Sequence, residues 1–171
     1  MSEQLPVLHD QLEIHPSAYV FPNTFLAGAI SVGPESSIWP MSVLRADTVP
    51  IRIGARSNVQ DGCIIHGDPG FPVLIGDLVT LGHGAIVHGA VLEDEVLIGI
   101  GAVVLNGGRI GRGSMVGARA LVPEGMQVPP GSLVLGIPGQ IRPLRPEHTA
   151  RIRQAAENYV ARKELYRRRQ V

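Results

Sequence analysis

The segment Leu92–Val134, LEDEVLIGIGAVVLNGGRIGRGSMVGARALVPEGMQVPPGSLV, decides the fold. Leu92, Ile98, Val104, Ile110, Val116, Val122, Val128 and Val134 recur every six residues without a miss, and Gly99, Gly111 and Gly117 follow three of them. A period of six fits neither a helix, at 3.6, nor a simple two-faced strand. It fits a hexapeptide β-helix, in which each hexad is one short strand plus a corner and three hexads close a triangular coil. One aliphatic side chain per hexad points inward, and glycine or small residues take the corners, where special backbone angles are needed. Coils pair through their backbones, so each is stabilised by its neighbours.

Upstream the period continues in shorter runs: Val20, Leu26, Val32, Ile38, Leu44; then Ile53, Val59, Ile65; then Ile75, Leu81, Val87. The register slips between runs. Three extra residues fall between Leu44 and Ile53, four fall between Ile65 and Ile75, and one is missing between Val87 and Leu92. The repeat predicts an all-β solenoid over residues 14–137, of roughly six coils. After Val134 the pattern stops, and Gly136–Pro146 reads as an exit loop. Residues 146–169 read as an α-helix of the same single domain, with Pro146 in its first turn and no later Gly or Pro. Ile152, Ala156, Tyr159, Lys163 and Tyr166 share one side that can lie along the solenoid.

Composition agrees with that architecture. Apolar residues make up 44% of the chain and aromatics only 4%, with 21 Gly and 14 Pro, as many short strands and tight turns require. Lys+Arg and Asp+Glu balance at 15 each, so net charge gives no reason to expect nucleic acid or an anionic membrane surface. Arg167–Arg169 suits the negative end of the helix dipole and reads as a solvated terminus. Cys63 is the single cysteine, which rules out an intrachain disulfide and suits a reducing compartment. No secretory leader or membrane-length apolar run is visible, so the expected location is the cytoplasm.

Three of the six histidines, His66, His83 and His88, fall inside the repeat. A lone histidine at such a place is usually a hydrogen-bonded surface residue, but the register changes that expectation. His66 follows the inward Ile65 and His88 the inward Val87, and their separation of 22 is one coil of 18 plus the four extra residues. The two rings should stack on one face of adjacent coils, about 4.8 Å apart, where they can converge on one metal. His83 lies two residues after Leu81, on the preceding face, and can complete such a site on an adjacent subunit. A closed three-fold ring would make three such sites. Three neutral nitrogens with a fourth position open describe a catalytic zinc site, and Fe²⁺ or Co²⁺ would tolerate the same ligands. Cys63 is placed away from that point and reads as packing.

Arg45 follows Leu44, and 66 minus 45 is 21, one coil plus the three extra residues, so Arg45 stacks one coil below His66. With Asp47 and Asp61 close in register, it predicts an ion-pair network at an interface.

Arg45-Ala46-Asp47, Asn58-Val59-Gln60-Asp61, His66, and Gly82-His83 through His88-Gly89 together resemble the signature of γ-class carbonic anhydrases and their near relatives. The likeness extends over nearly the whole chain, through the Gly-Ile-Pro loop and the Asn158-Tyr159 helix. It implies a left-handed parallel β-helix with the C-terminal α-helix packed alongside, assembled as a homotrimer with a metal at each subunit interface. It implies that His66 and His88 bind metal with His83 of a neighbour, and that Arg45, Asp47 and Asp61 are structural and interface residues. It implies that Asn58 and Gln60 hydrogen-bond the metal-bound water or substrate, with Tyr159 near the metal. The implied reaction is reversible hydration of CO₂ to bicarbonate, a lyase activity. Zinc serves it by lowering the pKa of bound water to about 7, the value known for a carbonic anhydrase of another class. Strongly active members carry Glu after the Arg-x-Asp motif and a longer acidic loop after the first ligand; here those places hold Thr48 and the short loop Gly67–Pro72, with Asp68 its only carboxylate. The competing readings are a hexapeptide acyltransferase, a metal-dependent hydrolase or thioesterase using the same hydroxide, and a low-activity relic with a structural role.

Overall fold

The computed structural model describes residues 11–169. The chain winds into a left-handed parallel β-helix of about seven turns, closed by one C-terminal helix. Its three faces are ladders of inward residues. One runs Ile14, Val32, Ile53, Ile75, Leu92, Ile110, Val128; the second Val20, Ile38, Val59, Leu81, Ile98, Val116, Val134; the third Leu26, Leu44, Ile65, Val87, Val104, Val122. Nearly all of these side chains are buried, forming one continuous core. Ile14 belongs to the same series, one hexad ahead of Val20, which is why the turns number about seven rather than six. The corners hold the left-handed backbone conformation, in non-glycine residues such as Glu95 and Arg119 as well as in glycines.

The register slips are the places where the solenoid leaves its regular course. Strand Val43–Ile53 pairs with Phe25–Val32, but the register shifts after Gly28, so Asp47–Pro50 stand out as a bulge. Gly28 permits this: its φ is +86°, and a Cβ there would lie 2.1 Å from the Ala46 carbonyl oxygen. Beyond that bulge Ile51–Ile53 pair with Val73–Ile75, and Gly67–Pro72 form the second outgrowth. The missing residue after Val87 is absorbed at Gly89, where φ is +57°.

The segment read as an exit loop is instead a hairpin: Gln140–Pro143 pair antiparallel with Ser132–Leu135 and cap the last coil. The helix, Pro146–Arg169, then runs back along the second face. Its 24 residues span about 36 Å, close to seven coil spacings, so it can reach the first turns. Its own Ile152, Ala156 and Lys163 are buried against the solenoid. Five of the seven aromatic residues gather where it lands: Phe21 contacts Tyr19, Trp39 and Tyr166, and Trp39 also meets Tyr159 edge-on at 5.0 Å. Arg153 pairs with Glu95 at mid-height, and the Arg167 guanidinium donates to the carbonyls of Pro16 and Ala18. No helix among the described residues is long and apolar enough to cross a membrane.

Candidate metal centre

Arg45, His66 and His88 are register partners on three successive strands of the third face. The inward neighbours Leu44, Ile65 and Val87 fix their height, and alternation along the strand turns their own side chains outward. His66 Nδ1 and His88 Nε2 lie 3.0 Å apart. The two slips surround this pair with polar groups. From the first bulge, Asp47 Oδ1 lies 3.0 Å from His66 Nε2, and the Thr48 hydroxyl lies 3.3 Å from the same nitrogen while donating to the Gly67 carbonyl. From the second, Asp68 Oδ1 lies 4.0 Å from His88 Nε2. Asn106, one coil above, completes the shell: its Oδ1 lies 2.8 Å from His88 Nδ1, and its Nδ2 donates to Asp68 Oδ2.

These contacts fix the tautomers. A carboxylate only accepts, so His66 carries its proton on Nε2 toward Asp47. Asp68 turns the Asn106 amide so that its carbonyl oxygen faces His88, which therefore carries its proton on Nδ1. Two lone pairs, His66 Nδ1 and His88 Nε2, are left facing each other across 3.0 Å. That is repulsive unless an electrophile lies between them. It is also near the edge of a tetrahedron, about 3.3 Å, that two nitrogens share when each is about 2.0–2.1 Å from zinc. The donor set fits a divalent metal.

His83 sits on the second face, away from that pair. Its Nδ1 lies 2.9 Å from Asp61 Oδ2, which leaves Nε2 with the lone pair, 3.5 Å from the Tyr159 hydroxyl. Beside it the Gln60 side chain is buried, with Oε1 accepting from the His83 amide and Nε2 donating to Asn58 Oδ1. Asn58 in turn donates to Thr80 Oγ1. Gln60, Thr80, His83 and Tyr159 line a cleft of about 860 Å³ between the second face and the helix, with Arg142, Arg145 and Arg151 along it. The sequence-predicted residues thus fall into two groups: Arg45, Asp47, His66 and His88 on one face, and Asn58, Gln60, Asp61 and His83 around another, where Tyr159 of the helix joins them.

Arg45 pairs with Asp47 within the chain, whereas Asp61 pairs with His83. Burial works against ionisation of Asp47, but hydrogen bonds from Arg45 and His66 hold its carboxyl below the usual range. Burial raises the Tyr159 hydroxyl above its ordinary value. Burial also pushes the Cys63 thiol up to about 12, and its sulfur rests in the core on the carbonyls of Leu81 and Gly82. Sequence reading missed Asn106. The available signal was its spacing of 18 from His88, but it stands in a turn rather than in the strand register.

No protein-family model matches the chain. Among curated proteins, a probable carbonic anhydrase of Methanocaldococcus jannaschii is 44% identical over 136 residues, covering 79% of this chain and 86% of its own length. The chain belongs to the γ-class carbonic anhydrase-like family of hexapeptide-repeat proteins. A mitochondrial gamma carbonic anhydrase 1 of Arabidopsis thaliana is 37% identical over 85% of this chain, which spans 56% of that longer relative. Similar solved structures carry other names. A Bacillus cereus protein described as a putative acetyltransferase superposes with a TM-score of 0.89, at 37% identity over 91% of both chains. Membership in a γ-class carbonic anhydrase-like family implies a metal, and His66, Asp68 and His88 form a group that could hold one.

Proposed function

We propose that this chain is a metal-dependent hydratase of CO₂ that works as a homotrimer, with each site shared between two subunits. One observation carries the reading. Each of the three histidines has one ring nitrogen tied to an acceptor, Asp47, Asp61 or Asn106, and keeps a lone pair on the other. This is the outer-shell arrangement that orients metal-ligating imidazoles and raises their basicity. His66 and His88 present their free nitrogens on one face and His83 on another, so a set of three closes only across a subunit boundary. Exposed apolar side chains flank both halves: Ile64 is 44% exposed on the strand of His66, and Ile100 is 58% exposed one coil above His83. Monomers should not leave both uncovered.

In the trimer, His66 and His88 of one subunit with His83 of the next would hold the ion, most simply Zn²⁺. When bound, the metal supplies a Lewis acid that brings water within reach of deprotonation near neutral pH. The remaining work belongs to the chain. Gln60, fixed at both ends of its amide, keeps one N–H and one lone pair to orient water and CO₂ beside His83. Asn58 holds Gln60 in place, and Tyr159 presents a protonated hydroxyl. The arginines of the cleft attract the anionic product. Arg45 holds Asp47 ionised against His66. Thr48 cannot exchange a proton as a carboxyl can, so export of the proton limits the rate.

The test is stopped-flow CO₂ hydration by metal-replete protein across a series of imidazole concentrations. Turnover that rises with buffer is expected. No turnover with zinc, cobalt or anaerobic ferrous iron would overturn the assignment.

A further inference from the structure

We infer that Asp68 is itself a metal ligand, so that each subunit holds the ion by a two-histidine, one-carboxylate set before the partner subunit supplies its histidine. The inference rests on the metal assignment above, but not on its chemistry. One ligand atom each from His66, Asp68 and His88 lies within 4.8 Å of the others, all inside a single chain. Asp68 Oδ1 lies 4.0 Å from His88 Nε2, while Oδ2 is held by Asn106. A carboxylate anchored by one oxygen and free at the other is arranged for monodentate ligation. The Asp68 side chain is about half exposed, at 49%, and can move the remaining short distance. Asn106 links the two ligands from behind, so Asp68 and His88 form one unit.

A carboxylate changes what the site prefers. Two imidazoles and one carboxylate with open positions are the set used for ferrous iron, and a hard oxygen donor moves preference toward Fe²⁺ and Co²⁺ relative to three imidazoles. A site complete within one chain also loads before assembly, so metal can organise the face that later meets a neighbour.

The probe is Co²⁺ alone, titrated into the full-length wild type, H83A, D68N and H83A/D68N, and followed by its visible absorption. D68N keeps an acceptor for the Asn106 amide and removes only the anionic ligand. Wild type should bind one Co²⁺ per chain. H83A should still bind one, with Kd raised above the wild-type value. D68N should weaken binding and change the cobalt band intensity, and the double variant should show no saturable binding. Loss of all cobalt from folded H83A, or a double variant as tight as H83A, would overturn the inference and leave the shared-site reading standing. Retention of cobalt by H83A beside a wild type without CO₂ turnover would uphold the inference and remove the hydratase.

Discussion

At the scale of single residues, the site depends on who holds whom. Asn106 Oδ1 fixes the proton of His88 and is itself aimed by Asp68. Asn106→Ala should leave the fold intact, because Asn106 belongs to a turn, yet weaken metal binding by roughly 10–100-fold. Competition with a chromophoric chelator reads this, and unchanged affinity would show that His88 needs no such support. Cys63 offers a different check. Its thiol, raised by burial to about 12, should resist thiol reagents at pH 8 in the native protein and react once unfolded. An acid whose folded pKa is raised stabilises the native state in full below its unfolded value, about 8.5, and loses that contribution as pH climbs toward 12. Stability followed by denaturant titration should therefore fall on the alkaline side.

At the scale of elements, the solenoid was legible because its signal is repeated. Each inward position is tested again one hexad later, and even the slips could be counted from Leu44, Ile65 and Val87. The counts also predicted that Arg45, His66 and His88 share a face. What the slips build was not legible: an extra residue has no register to obey, so the approach of Asp47, Thr48 and Asp68 to the rings depends on bulge geometry and on Gly28. The hairpin after Val134 was missed because Gln140–Pro143 carries no alternation of its own and is ordered by an edge it covers. The helix was legible in its apolar positions but not in its clasp, since Glu95 stands in a left-handed corner with no visible partner in sequence. Hydrogen bonds from Arg112 and Arg153 hold the Glu95 carboxyl below the usual range. Such a group stabilises above its unfolded pKa, about 4.3, and loses that contribution as pH falls through the lower folded value. Both arginines are largely exposed, so Glu95→Gln should cost only about 1 kcal/mol. The expected result is a slightly lower melting temperature at pH 7 and a smaller difference near pH 3. An equal loss at both would assign Glu95 a packing role instead.

At the scale of the whole molecule, one chain carries its three repeat histidines on two different faces. The third face supplies the paired nitrogens of His66 and His88, and the second face supplies His83, Gln60 and Tyr159. On the function proposed above, neighbouring subunits unite them. The most direct measurement mixes two inactive chains, H83A and H88A, by co-refolding, and reads CO₂ hydration and chelator-resistant zinc in the mixture. Each chain alone should be inactive, and the assemblies should have the mass of a trimer by light scattering. Where an H83A subunit presents His66 and His88 to the His83 of an H88A subunit, an intact site returns, so an equal mixture should recover about a quarter of wild-type sites by random assortment around a three-fold ring. A mixture with no more activity and no more tightly held zinc than its separate components would contradict a site shared between subunits.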